Sequence, residues 1–146
     1  VDLGVTDANN MGAAMAPAAL ATIQAHFRDL NVNADHFDRI FTGDLGAVGK
    51  EALLSLARRE GLSLGGKLED CGCLVFDAEK QDVHAGGSGC GCSAIVLCSH
   101  LLNQLHSGKW KRILFCGTGA LLSPTSTQQG LPIPGVCHAV CIEGET

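Results

Sequence analysis

The sequence predicts an α/β domain built on a mixed, mostly parallel sheet of five strands, in the order β-α-β-α-β-α-β-β. Three observations carry that prediction. Short apolar runs alternate with longer segments whose apolar residues recur at helical spacing. Glycine or asparagine stands where each helical segment should stop. The last two runs are joined by a proline-containing loop rather than a helix, so the final strand runs antiparallel to its neighbour while the others are parallel with right-handed crossovers.

The elements follow in order. VDLGV at the start is a short strand-like run. From Asn10, residues Met11, Ala14, Met15, Ala18, Ile23, Phe27 and Leu30 keep approximate helical spacing up to a turn at Asn31, with Asn9 or Asn10 as N-cap. Pro17 lies inside that pattern and predicts a kink, or a later start near Ala16. FDRIFTG (37–43) reads as a buried strand ending in a glycine turn, and Gly46–Glu60 as a helix with Leu53, Leu56 and Ala57 on one face and Gly61 as its stop. CLVFD (73–77) reads as the third strand. Ile95, Cys98, Leu101, Leu102 and Leu105 mark a third helix closed by Gly108, RILFCGTG (112–119) a fourth strand, and HAVCIE (138–143) a fifth, reached through LSPTSTQQGLPIP.

Composition bounds the function. The chain has 146 residues, enough for one domain with one core, and its 46% apolar and 17% charged residues indicate a well-buried globular fold. A formal net charge of −5 argues against nucleic-acid binding, which leaves a basic footprint. The longest apolar run, AAMAPAALATI, is short of the roughly 20 residues that cross a bilayer and contains a proline. No signal or transit peptide is read at the N-terminus, and the opening on VDLGV without a methionine reads as an internal cut.

Eight cysteines suggest a disulfide scaffold until their settings are considered. Cys98 and Cys116 sit in apolar runs, and Cys137 and Cys141 among small or apolar neighbours, where a free thiol packs as a compact hydrophobe. Cys71 with Cys73, and Cys90 with Cys92, form C-x-C pairs, a spacing tighter than the C-x2-4-C of zinc sites, so no metal is expected. Cys90 and Cys92 stand near a helix N-terminus, where a thiol can become reactive, but packing of small residues is the favoured reading. A reducing compartment fits a chain of this size and apolarity.

In a parallel sheet ligands gather beyond the carboxyl ends of strands. Two loops qualify: TGDLGAVG after the second run and HAGGSGCGCS before the third helix. Glycines 86, 87, 89 and 91 let the second loop turn through positive φ and approach another surface, and the helix beginning near Gly91 offers unpaired N–H groups to a carboxylate or phosphate. No GK[ST] ends this loop and no G-x-G-x-x-G follows the first strand, so a nucleotide is not expected. The same glycines would equally serve close packing of the helix. His84 is a ligand contact or acid/base candidate, or a structural residue before a turn.

TGDLGAVG, DCGCLVFD, the run HAGGSGCGCSAIVLCSHLLNQLHSGKWKRILFCGTGALLSPTSTQQG and the closing IPGVCHAVCIE, with NMGAAMAPAA near the start, together resemble the C-terminal half of the stage V sporulation protein AD family. That family is similar in fold to the thiolases and ketoacyl synthases. The resemblance implies that residues 1–146 are one thiolase-like half-domain of a longer two-half protein, each half being β-α-β-α-β-α-β-β and the two stacking in five layers.

The resemblance also bears on chemistry. In the condensing enzymes the nucleophilic cysteine lies on the N-terminal half, and the C-terminal half supplies a histidine in the loop after its second strand, in a pattern similar to PHQAN. Here that loop reads Thr42, Gly43, Asp44, Leu45, Gly46, so Gly43 or Asp44 occupies the histidine's position. Glycine moves no proton, and an aspartate would repel a thioester oxyanion.

A non-catalytic binding domain is therefore expected, without cofactor or metal. The ligand that the resemblance implies is dipicolinic acid, free or as its calcium chelate, taken up into the developing spore. Expected ligand contacts are His84, Gly87, Ser88, Gly89, Cys90 and Ser93 of one loop, Gly43 and Asp44 of the other, and Ser123 beyond the fourth strand. Asp44 fits only if protonated, bridged by a cation or water, or turned toward the protein. Implied partners are other subunits of a spore transport complex. Self-association, or packing against the other half, would cover the exposed helix layer. The implied location is the cytoplasmic face of the forespore inner membrane, peripherally. The alternative is a fragment of an acyl-transfer or condensing enzyme whose nucleophile lies on the other half.

Overall fold

A computed structural model describes residues 1–64 and 66–144. It is an α/β structure with a four-stranded mixed sheet. The elements are α1 (Met11–Leu30), a 3-10 turn (Ala34–His36), β1 (Arg39–Thr42), α2 (Gly46–Arg59), β2 (Leu68–Asp70), α3 (Cys71–Leu74), α4 (Cys92–Val96), a π-helical turn (Leu97–Leu101), α5 (Leu102–His106), β3 (Arg112–Ala120), α6 (Pro124–Gln128) and β4 (Gly135–Glu143). The strands lie in the order β2-β1-β3-β4, with β1 parallel to both β2 and β3 and β4 antiparallel to β3.

Successive residues of β1 face opposite sides of the sheet and belong to two cores. Ile40 joins Leu68, Leu114 and Cys116 under α1 and α2, while Phe41 joins Ile113 beneath Val96, Leu101 and Leu105 of the third helix. Trp110 closes the edge of that second core, its ring centroid 5.4 Å from that of Phe41.

The third predicted helix is continuous but compound. α4, the π-helical turn and α5 succeed one another without a break from Cys92 to His106, and Gly108 follows at φ +72°.

The first helix begins at Met11, not near Ala16, and runs unbroken through Pro17. Asn10 caps it by accepting from the Ala13 N–H at 3.2 Å, and Asn31 ends it in the left-handed conformation. The buried face from Ala14 to Phe27 offsets the one backbone donor that proline removes. Gly12 lies where α1 crosses α2: a Cβ there would stand 2.5 Å from the Leu45 carbonyl oxygen and 3.0 Å from Gly49 Cα.

Two expected strands are absent. VDLGV is not a strand of the sheet. Val1 exchanges both backbone bonds with Gly135, at 2.8 and 2.7 Å, and Val5 accepts from Ile133 N–H, but Gly4 at φ +75° breaks the extended run between them. The Asp2 carboxylate takes the Gly4 N–H at 2.9 Å, a local turn that competes with a ladder.

CLVFD is not a strand either. β2 lies earlier, at Leu68–Asp70, and the chain then turns directly into α3. Asp70 causes the turn, its extended backbone ending β2 while its carboxylate accepts from Cys73 N–H at 3.3 Å as the N-cap. The sheet therefore has four strands rather than five.

Cysteine placement also departs from expectation. Cys116 and Cys137 are buried as compact hydrophobes, but Cys98 and Cys141 are exposed. Cys98 lies in the π-helical turn, where the regular helical spacing that groups it with Leu101 and Leu105 is interrupted, and Cys141 lies near the end of the sheet's edge strand. Among the described residues, no helix is long and apolar enough to cross a membrane.

Candidate functional site

The carboxyl ends of β1 and β2 are tied together by one carboxylate. Asp70, wholly buried, accepts from the Thr42 hydroxyl at 2.6 Å, from Leu45 N–H at 2.9 Å and from Gly46 N–H at 3.0 Å, besides capping α3. Gly46 adopts φ +69°, and the next amide, Ala47 N–H, donates to the Ala85 carbonyl at 2.7 Å. The first amides of α2 are thus taken by the protein's own acceptors. Sequence reasoning passed over Asp70. Its signal was present, since an aspartate directly before a Gly-containing turn is an N-cap pattern.

Asp44 stands on the same turn and is half-buried. Its Oδ2 accepts from the Ser88 hydroxyl at 3.0 Å and from Gly89 N–H at 3.1 Å, and its Oδ1 accepts from the Thr118 hydroxyl at 3.2 Å. Thr118 Oγ in turn accepts from the Asp44 N–H at 3.1 Å. The two loops singled out in the sequence meet at this carboxylate, and Asp44 is turned toward the protein, one of the three conditions under which it fits. Thr118, near the end of β3, is a second site residue that sequence reasoning missed, because β3 reads there only as a strand running into glycines.

Glycines set the approach of the loops. Gly43 is buried beside Thr118, where a Cβ would come within 2.6 Å of the hydroxyl, and its carbonyl accepts from Gly72 N–H at 3.1 Å. Gly87 is buried, donates its N–H to the Gly72 carbonyl at 2.7 Å, and leaves no room for a Cβ against Val75 and Phe76. Gly86 and Gly89 adopt φ +119° and +111°, a region that glycine enters most readily.

Beside Asp44 opens a cleft of about 450 Å³ between the start of α1 and the two loops. Asn9, Met11, Gly12, Val48, Gly87 and Ser88 help to line it. Asp44 is the one charged residue among the lining residues.

The other predicted residues are placed as follows. His84 adopts φ +47° with its side chain 91% exposed, 3.9 Å from Asp82, and does not line the cleft. Cys90 is exposed on the loop past Gly89, so it is not packing filler; Cys92 is buried and is. Ser93 is half-buried in the first turn of α4. Ser123 is the N-cap of α6, in a capping box with Ser126, and borders a different cavity of about 350 Å³ with Leu121, Leu131 and Pro132. The structure therefore brings Gly43, Asp44, Gly87, Ser88 and Gly89 together and leaves His84 and Ser123 apart.

Electrostatics around the site keep nearby thiols protonated. Burial, followed by the Asp70 charge, pushes Cys71 up to about 12 and Cys73 up to about 11. Burial and then Asp44 raise Cys92 as well. Burial thus disfavours the thiolate form of all three. Among the described residues, no group of three or more His, Cys, Asp or Glu side chains is arranged to hold a metal ion.

A sequence model of the family "Stage V sporulation protein AD (SpoVAD)" matches residues 1–143. Stage V sporulation protein AD of Bacillus subtilis (strain 168) is 50% identical over 142 residues, which cover 97% of this chain and 42% of that relative. The chain thus spans about two-fifths of the curated relative it matches. With residues 1–143 inside the family's pattern and half of the positions identical to a curated member, the chain belongs to the stage V sporulation protein AD family.

Proposed function

We propose that this chain is a non-catalytic, thiolase-like half-domain that binds dipicolinic acid for uptake into the developing spore. The observation that carries the reading is the occupancy of the turn after β1. Where the resemblance to acyl-transfer enzymes calls for a histidine, Gly43 packs against Thr118 and the Asp44 carboxylate is tied to Ser88, Gly89 and Thr118. Such a turn offers no imidazole to a thioester, and its carboxylate opposes a developing oxyanion.

The cleft beside Asp44 is of a size that admits a small aromatic dicarboxylate. Ser88 and Asp44 line it, and Ser88, Gly89 and Thr118 converge as donors on the Asp44 carboxylate at its edge. With a calcium ion, the chelate would carry no net charge and Asp44 could face the cation.

Exposed Ile95 and Leu102 on the third helix, with Leu74 and Phe76 beside it, suit burial against the remainder of a longer polypeptide or a second copy. Peripheral placement at the cytoplasmic face of the forespore inner membrane, among other transport subunits, completes the proposal.

Calorimetric titration of the intact protein with dipicolinate, with and without calcium, tests it. Saturable one-site binding that weakens in S88A is expected. Covalent acylation, or release of CoA from an acyl-CoA, would overturn it in favour of a condensing enzyme.

A further inference from the structure

The two aspartates of the site are held in opposite ways. Asp70 is sealed, with buried donors on both oxygens. Asp44 is partly exposed, and two of its three donors, the Ser88 hydroxyl and the Gly89 amide, are on the surface. Ala85 and Gly87 are fixed by backbone bonds to Ala47 and Gly72, but Ser88 and the Gly89 amide are tied to the body of the domain through Asp44. Gly89 needs its φ of +111° to present its amide there.

We propose that Ser88, Gly89 and Thr118 form a carboxylate cradle that the chain's own Asp44 occupies as a latch, and that an incoming carboxylate exchanges with it. Only the identification of that carboxylate as dipicolinate rests on the function proposed above.

Two physical arguments favour exchange over simultaneous occupancy. The cleft has no cationic lining residue to neutralise a second anion next to Asp44, so a free carboxylate gains the donors only when Asp44 leaves them. Asp44 can leave at modest cost, because two of its three donors are at the surface and its carboxylate regains water on swinging out. Ser88 and Gly89 are then tied to the ligand instead of to Asp44, so ligand binding is coupled to how the loop that leads into α4 is anchored.

Amide hydrogen exchange at Gly89 in the intact protein reads the latch directly. In D44A the Gly89 amide should exchange roughly five- to tenfold faster than in wild type, as expected for loss of one hydrogen bond. Added acetate should restore its protection, half-maximally at roughly tens of millimolar for so small a ligand. D44N, which keeps the shape and one acceptor, should fall between the two and serves if D44A does not fold.

Unchanged Gly89 exchange in both variants, or no response to acetate, overturns the proposal. Dipicolinate should protect Gly89 in D44A and bind more tightly there than in wild type. If acetate protects Gly89 and dipicolinate does not, the latch stands and the dipicolinate reading falls. If dipicolinate binds wild type but more weakly in D44A and leaves Gly89 unprotected, the reading stands and the latch falls.

Discussion

Thr42 and Asp70 are direct partners across the parallel β1–β2 pair, and the Thr42 hydroxyl donates to Asp70 Oδ1 at 2.6 Å with neither residue exposed to solvent. A buried carboxylate is tolerated only where its oxygens are filled, and Asp70 collects one hydroxyl and three amides. The same carboxylate ends β2, starts α3 and holds the turn that presents Asp44.

Removing either partner should destabilise by unequal amounts. T42V leaves the three amides in place and should cost about 1 kcal/mol. D70N replaces one acceptor by a donor facing amides and should cost about 2–3 kcal/mol, and D70A, which orphans several buried donors, more. Urea denaturation of the three variants checks the order. D70A as stable as wild type would show that Asp70 does not organise the turn.

Thiol accessibility should follow burial. Cys90 and Cys98 are exposed and should react first with an aromatic disulfide reagent at neutral pH. Cys141 is exposed too, but burial of its thiol and the neighbouring Glu143 raise its pKa and should slow it. Cys71, Cys92, Cys116 and Cys137 are buried and should react only on unfolding. Mass-spectrometric mapping of labelled peptides checks this, and prompt labelling of Cys71 in the folded protein would contradict the packing of α3.

Asp38 should make stability depend on acid. Its carboxylate accepts from Arg112 N–H at 2.9 Å and Lys111 N–H at 2.7 Å, joining the start of β1 to the start of β3. The Arg112 amide first, then the Lys111 amide, hold its pKa below the usual carboxylate range. A depressed carboxylate binds protons more readily in the unfolded chain. Its stabilisation is therefore present above the unfolded value of about 4 and is lost as pH falls through the lower folded value. D38N should be less stable than wild type near neutral pH, with the gap closing below about pH 4. Thermal melts across that range check it, and a gap independent of pH would mean that the carboxylate charge plays no part.

Much of this architecture was legible because it is local. Helix limits at Asn10, Asn31 and Gly61 follow from cap chemistry that needs only a few adjacent residues. β1, β3 and β4 follow from apolar runs long enough to span a sheet. The two strand errors fall where a short-range bond overrides an apolar run: Asp2 to Gly4 in VDLGV, and Asp70 to Cys73 ahead of CLVFD. Apolarity reports burial, not backbone direction, so Val75 packs into the core from a position just past α3 as readily as from a strand.

By itself, the amino-acid sequence determined the α/β class, the stops of the three long helices at Asn31, Gly61 and Gly108, the family, and the two glycine-rich loops. Tertiary structure alone decided which of their residues meet. Asp44 lies 44 residues from Ser88 and 74 from Thr118, and Asp70 lies 28 from Thr42. Strand pairing closes those separations, and no periodicity or spacing along the chain encodes which side chain turns inward to be sealed and which faces the cleft.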